Sequence, residues 1–144
     1  MKTIEQTVHI NASPQEVYEA YCDAKKHAEF TGAKVKFEAK AGGKFDIWDG
    51  ELTGENVELV KGKKIVQKWR ANDWPEGHFS DLTITFEPED EGRRPGRASG
   101  PEGTRLTLVQ KNVPDEKADD IDEGWHEYYW KPMNEYFAKV LRDK

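Results

Sequence analysis

From about Asp115 onward, Ile121, Trp125, Tyr128, Tyr129, Met133, Tyr136, Phe137, Val140 and Leu141 recur three and four residues apart. That period belongs to one face of an α-helix, and here the face is made largely of rings. A lone helix cannot bury such a stripe, so the rest of the chain must offer a continuous apolar surface of similar length. Asp115, Glu116, Asp119, Asp120, Asp122 and Glu123 crowd the first turns, where carboxylates complement the positive end of the helix dipole. Pro132 falls inside the pattern and predicts a kink or one lost hydrogen bond. Gly124 predicts a close approach to a neighbouring backbone.

The surface that receives the stripe reads as a sheet. Ile4, Gln6, Val8 and Ile10 share one side of an alternating run, the period of a half-buried strand. Ser13, Pro14 and Glu16 form a capping box with proline at the first helical position, predicting a short helix through about Tyr21. Asp23 caps a second short helix ending near Phe30, and Gly32 suits the left-handed residue that stops it. Six short runs follow between Ala33 and Gln110: VKFEA, GKFDIWD, ELTGENVELV, KKIVQKWR, FSDLTITFE and TRLTLVQ. Gly, Asp, Asn or Pro separate them, and such short links dictate an antiparallel meander. The apolar parity slips between Leu52 and the Val57/Leu59 pair, which predicts a sheet-bending bulge at Gly54. Residues 88–103 hold four Gly, three Pro and three Arg without apolar period, and read as a mobile hairpin loop. Its arginines read as solvated, since no aromatic residue is interleaved to stack a base. The expected class is α+β: a curved antiparallel sheet with two short helices after strand one, gripping one long C-terminal helix. A single domain spans 1–144.

Charge and cysteine narrow the function. With 22 Lys+Arg against 28 Asp+Glu, the net charge of −6 repels phosphate backbones and anionic membrane surfaces, so neither nucleic acid nor membrane is an expected partner. Cys22 is the single cysteine, which excludes an internal disulfide and a cysteine-based zinc cluster. The opening MKTIEQTVHI lacks the apolar run of a signal peptide, and no stretch has the roughly 20 apolar residues of a membrane helix; the expected location is the cytoplasm. His9, His27, His78 and His126 are scattered, so no metal site is expected, and no motif implies a cofactor. His126-Glu127 lacks the second histidine of a metalloprotease helix, and no glycine-flanked serine elbow is present.

The stretches GGKFDIWDGELTG (42–54), IVQKWR (65–70), WPEGHF (74–79) and GWHEYYW (124–130) occur in this order within that succession of elements. In this the chain closely resembles the carboxy-terminal domain of activators of the ninety-kilodalton heat-shock chaperone ATPase. That domain belongs to the START-like, birch-pollen-allergen-like helix-grip superfamily. The resemblance runs from about Ile4 to Phe137. It implies a helix-grip fold, in many members a hydrophobic cavity between helix and sheet, and docking to a heat-shock chaperone. The two-domain activators carry a separate amino-terminal domain, and the sequence here starts at the strand that opens their second one.

Two sets of candidate residues follow. Inward parity, read with the family pattern, assigns Phe45, Ile47, Leu52, Gln67, Trp69, Leu82, Ile84 and Gln110, with Trp125, Tyr129 and Met133 of the helix, to the wall of a core or of a small hydrophobic ligand's cavity. Gln67 and Gln110 stand out, because a buried amide must be hydrogen-bonded. They bond each other, a tyrosine hydroxyl or trapped water, or they orient a ligand. The partner surface is expected at Trp74, Pro75, Glu76 and His78, with Lys68 and Arg70 on the outer strand face. Trp74 lies in a DWPEG turn, where a large ring either folds back onto the core or waits for a partner. His78 or Asp81 is the candidate cavity acid or base of an enzyme reading, with His78 read first as a hydrogen-bonded structural residue. The expected product is a non-enzymatic, monomeric co-chaperone-like binding module; the alternatives are a carrier or sensor of a small hydrophobic compound and a cyclase- or hydrolase-like enzyme.

Overall fold

Ser13 accepts the Glu16 N–H at 3.2 Å, and the Glu16 carboxylate returns to the Ser13 backbone N–H, closing the capping box. The computed structural model describes residues 1–89 and 103–142. Strand β1 (Lys2–Ile10) leads through that cap into α1 (Pro14–Cys22). Asp23 then accepts the Lys26 N–H at 3.0 Å to start α2 (Ala24–Thr31), which Gly32 ends at φ 72°. Strands β2 (Val35–Phe37), β3 (Lys44–Ile47), β4 (Leu52–Val60), β5 (Lys64–Ala71), β6 (Ser80–Glu89) and β7 (Gly103–Val113) follow. They form one antiparallel sheet in the order β1-β7-β6-β5-β4-β3-β2, so β2 to β7 pair with their chain neighbours and β7 returns to pair with β1. This is the expected helix-grip order. A 3-10 turn (Asp115–Lys117), α3 (Ala118–Trp125), a wide turn (His126–Trp130) and α4 (Lys131–Arg142) make the terminal helix.

The inward side of the sheet and the terminal helix share one core. Ile4, Ile10, Ile47, Ile65, Leu82, Ile84, Leu106 and Leu108 are buried in one cluster with Trp125, Tyr129, Met133 and Phe137. At roughly 25 cal/mol per Å² of apolar surface removed from water, each such side chain contributes about 1.5 to 3 kcal/mol. Helices α1 and α2 cover the remaining side, with Tyr18 edge-on to Phe86 at 6.0 Å and Phe30 against Tyr136 at 6.4 Å.

Four local expectations are corrected. The bulge is at Val57: Asn56 pairs with Gln67 and Glu58 with Val66, while Gly54 is in regular register opposite Phe45 and Trp69. Gly54 is needed for space, since a Cβ there would lie 1.8 Å from the Lys68 carbonyl oxygen and 2.5 Å from the Phe45 ring. The β6–β7 ladder reaches Pro88, Glu89 and Gly103, so the loop assigned to 88–103 starts later; residues 90–102, with Arg93, Arg94 and Arg97, lie outside the described residues.

The effect of Pro132 appears ahead of it. Its ring has no N–H to donate to the Tyr128 carbonyl, and the chain passes through a turn in which Lys131 N–H reaches back five residues to the His126 carbonyl. Pro132 then occupies the first turn of α4, where no N–H is required. The extra residue rotates the face: Trp130 turns inward at 3% exposure, whereas Tyr128 of the expected stripe is 58% exposed. Finally, Gly124 abuts no neighbouring backbone. A Cβ there would meet only the Tyr128 ring at 3.7 Å, in ordinary contact.

Candidate functional site

The buried amides inside the grip are satisfied by protein groups. Gln67 accepts the Tyr21 hydroxyl at 3.1 Å and donates to Asn56 Oδ1 at 2.8 Å, and Asn56 in turn donates to the Glu38 carbonyl. Gln110 donates to Ser80 Oγ and accepts the Trp125 indole N–H, both at 2.9 Å. Of the alternatives open to these amides, Gln67 takes the tyrosine hydroxyl and Gln110 takes an indole and a serine. Gln6 repeats the device on β1: it accepts the Trp130 indole N–H at 2.8 Å and donates to the Asp122 carbonyl at 2.7 Å. Indoles one wide turn apart, Trp125 and Trp130, stack at 5.4 Å and 11°.

His27 completes this lock from α2. Its Nδ1 lies 2.8 Å from the Tyr21 carbonyl, which can only accept, so Nδ1 carries the proton and Nε2 accepts the Tyr129 hydroxyl at 3.0 Å. Burial drives the ring to about 4, against an ordinary 6.5, and holds it neutral. The same desolvation raises Tyr21 and Tyr129, and pushes the Cys22 thiol up to about 12. A thiol so held is a packing group, not a nucleophile.

Ile47, Leu82, Ile84 and Met133, four of the expected cavity residues, are fully buried in this packed interior. Leu52, Trp69, Trp125 and Tyr129 have a different setting. They border a cleft of 180 Å³ between the β3–β4 turn and the terminal helix, together with Trp48, Glu51, Asp120, Ile121, Gly124 and Tyr128. Trp48 stands edge-on to Tyr128 and to Tyr129, at 6.0 and 6.1 Å. Its position depends on a left-handed run in which Trp48, Asp49 and Gly50 have φ of 56, 52 and 89°, held by Asp46 accepting the Gly50 N–H at 2.6 Å. Left-handed backbone at a bulky residue persists only where its surroundings fix it.

Phe45 and Lys68 border a second, broader hollow of 740 Å³ on the outer face, whose lining also includes Lys36, Lys44, Asp46, Glu55 and Phe79. Beside it lies the β5–β6 connection. Trp74, expected at a partner surface, is folded back: it is 4% exposed and packs edge-on to Trp69 at 5.5 Å. Arg70 is half-buried, donating to the Trp74 and Pro75 carbonyls at 2.9 and 3.3 Å, so it braces the turn. His78 donates Nε2–H to the Asn112 carbonyl at 2.8 Å, the structural bond expected of it. Asp81 pairs with Lys68. Lys68, Pro75 and Glu76 remain exposed.

From the sequence, His27, Trp48, Glu51 and Asp120 are assigned to no site. His27 carried a usable signal, lying three and four residues before Phe30 and Thr31 on the covered face of a short helix. Asp49-Gly50 likewise marks a tight turn right after Trp48, which therefore sits at a strand end. Among the described residues no group of His, Cys, Asp or Glu is placed to hold a metal ion, and no helix is long and apolar enough to cross a membrane.

Comparison with known proteins agrees with this architecture. Residues 11–95 match the family described as Activator of Hsp90 ATPase homolog 1-like protein. The chain is 34% identical over 130 residues to the human Activator of 90 kDa heat shock protein ATPase homolog 1, covering 90% of this chain and 35% of that protein. It is 32% identical over 124 residues to the Activator of 90 kDa heat shock protein ATPase homolog of Dictyostelium discoideum, covering 86% and 30%. The chain thus spans about one third of the length of these relatives. The crystal structure of an HSP90 activator from Plasmodium falciparum superimposes with a TM-score of 0.81 at 24% identity, over 96% of this chain and 97% of that one.

Proposed function

Because this chain belongs to the Activator of Hsp90 ATPase homolog 1-like family, we propose that it acts through its surface as a non-enzymatic module that binds a ninety-kilodalton heat-shock chaperone. The observation that carries this reading is the 34% identity to the human activator homolog along 90% of the chain. The contact surface is the outer sheet face and the β5–β6 tip: the 740 Å³ hollow with Lys68 on its border, then Pro75 and Glu76. Arg70 and His78 hold the tip from beneath, and Trp74 is its buried brace. Opposite charges side by side on such a face suit orientation and rate of encounter more than raw affinity. His78 and Asp81 are both engaged in structural bonds, which favours binding over acid–base chemistry. The module works in the cytoplasm as a monomer.

Titration of the purified chaperone onto the immobilised chain tests this. Saturable binding is expected, and Lys68→Glu and Glu76→Lys should slow association by roughly threefold to tenfold with a changed salt dependence. Absence of binding by the unaltered chain overturns the reading. Unchanged binding by both variants removes the tip from it. A second reading, the binding of a small ligand, is favoured by one observation, the ring-lined cleft beside the terminal helix.

A further inference from the structure

We propose that the cleft between the β3–β4 turn and the terminal helix is an aromatic cage for a methylated ammonium ion. This rests on the small-ligand reading and not on the chaperone reading. Trp48, Trp69, Trp125, Tyr128 and Tyr129 supply its walls. The walls do not lie parallel: Trp48 meets Tyr128 at 75° and Tyr129 at 81°, while Trp125 meets Tyr129 at 54°. Rings standing at large angles around one space present several π-faces to a central guest, the arrangement that attracts a cation without requiring a hydrogen bond.

Size and charge select the guest. A space of 180 Å³ is below the roughly 300 Å³ at which sites for drug-sized ligands begin, and suits a head group. Glu51 and Asp120 are the charged residues of the lining, and both are acidic. Asp119, Asp122 and Glu123 add negative charge on the same helical segment, and Asp119 and Asp120 offset the positive dipole in its first turn. An anion is repelled, and a neutral apolar guest leaves the carboxylates without a role. Methylated nitrogen satisfies both requirements, since it is cationic, weakly hydrated and apolar on its outside.

Two further facts fit. Tyr128 is 58% exposed and lines the cleft, so the cleft reaches solvent at this ring. Gly124 lines the cleft, and its missing side chain leaves open the space beside the Tyr128 ring. Trp48, held in left-handed backbone, forms the opposite wall.

Choline is the probe, with tryptophan fluorescence as the readout and, as control, its uncharged analogue in which a tert-butyl group replaces the trimethylammonium. Saturable quenching by choline is expected, with the neutral analogue at least roughly tenfold weaker. Tyr128→Ala and Asp120→Asn alter exposed side chains, so both variants should fold; each should weaken choline by roughly threefold to thirtyfold. A peptide bearing trimethyllysine separates the sources of the group. Tighter binding of the peptide assigns the cage to a modified protein, tighter binding of choline to a free ion, and either result upholds it. Equal affinity for choline and the neutral analogue overturns the cation assignment while leaving a small-ligand site. Failure of every probe to bind overturns both.

Discussion

Trp125 and Trp130 each aim a buried indole N–H at a glutamine oxygen, whereas Trp69 and Trp74, equally buried, have indole N–H groups without a partner among the described residues. Arg70 Nε, beside Trp69 in sequence, shares that condition. The two regions lie in one core, since Trp69 touches Trp125 at 5.6 Å. The lock formed by Gln6, Gln110 and His27 reads the terminal helix at three points, at Trp130, Trp125 and Tyr129. A helix displaced by one residue would leave all of these groups buried and unmade, so the lock sets register as well as adding stability. Around Trp69 and Trp74 the carbonyls are bonded, by Ser80 and Arg70, but the two indole N–H groups and Arg70 Nε are not, and Trp69 borders the cleft. Polar matching therefore fixes the register of the terminal helix, while the Trp69–Trp74 contact is fixed by ring packing.

The sharpest break in that comparison is Trp125→Ala. It opens a large cavity and strands Gln110 Oε1, so a loss of about 3 to 5 kcal/mol is expected in urea unfolding. A loss under about 1 kcal/mol would mean that the helix is not gripped as described. Acid is the next largest lever. Unfolded His27 takes up its proton near 6.5, while the folded ring resists until about 4. Between those values the unfolded state binds more protons, so stability is complete above pH 6.5, falls as pH drops toward 4, and is flat for this group below that. The window corresponds to about 3 kcal/mol. Urea midpoints between pH 7.5 and 4 measure it, and His27→Gln should remove most of the slope.

The order of elements, both helix caps and the inward parity of Trp69, Gln67 and Gln110 were legible because each rests on local chemistry: a capping box, an alternation, a turn residue. The outcome at Trp74 was not, because a ring in a Pro-Gly turn has two resting places, and the choice is made by Trp69 and by the Arg70 bonds across the turn. The inward turn of Trp130 was hidden for another reason. Helical spacing assumes a constant step, and the wide turn before Pro132 inserts one residue, exchanging Trp130 for Tyr128 on the buried face. The cleft depended on this exchange and on left-handed backbone at Trp48, so strand and helix periods alone could not reveal it. Val57 shows the same limit on the sheet: alternation detects that a residue is inserted but not where the ladder absorbs it.

The smallest effect isolates the polar term itself. Trp130→Phe and Trp74→Phe remove the same indole ring from sites of almost equal burial, 3% and 4% exposed. Both leave a comparable void, and the packing losses should nearly cancel between them. Trp130→Phe also takes the donor from Gln6 Oε1, whereas the Trp74 N–H gives up no bond among the described residues. Trp130→Phe should therefore cost more by about 1 to 2 kcal/mol. Equal losses in paired urea titrations would show that the Gln6 bond adds no net stability and that the two regions differ only in shape. A larger loss at Trp74 would reverse the comparison and make the Trp69–Trp74 region the fixed part of the molecule.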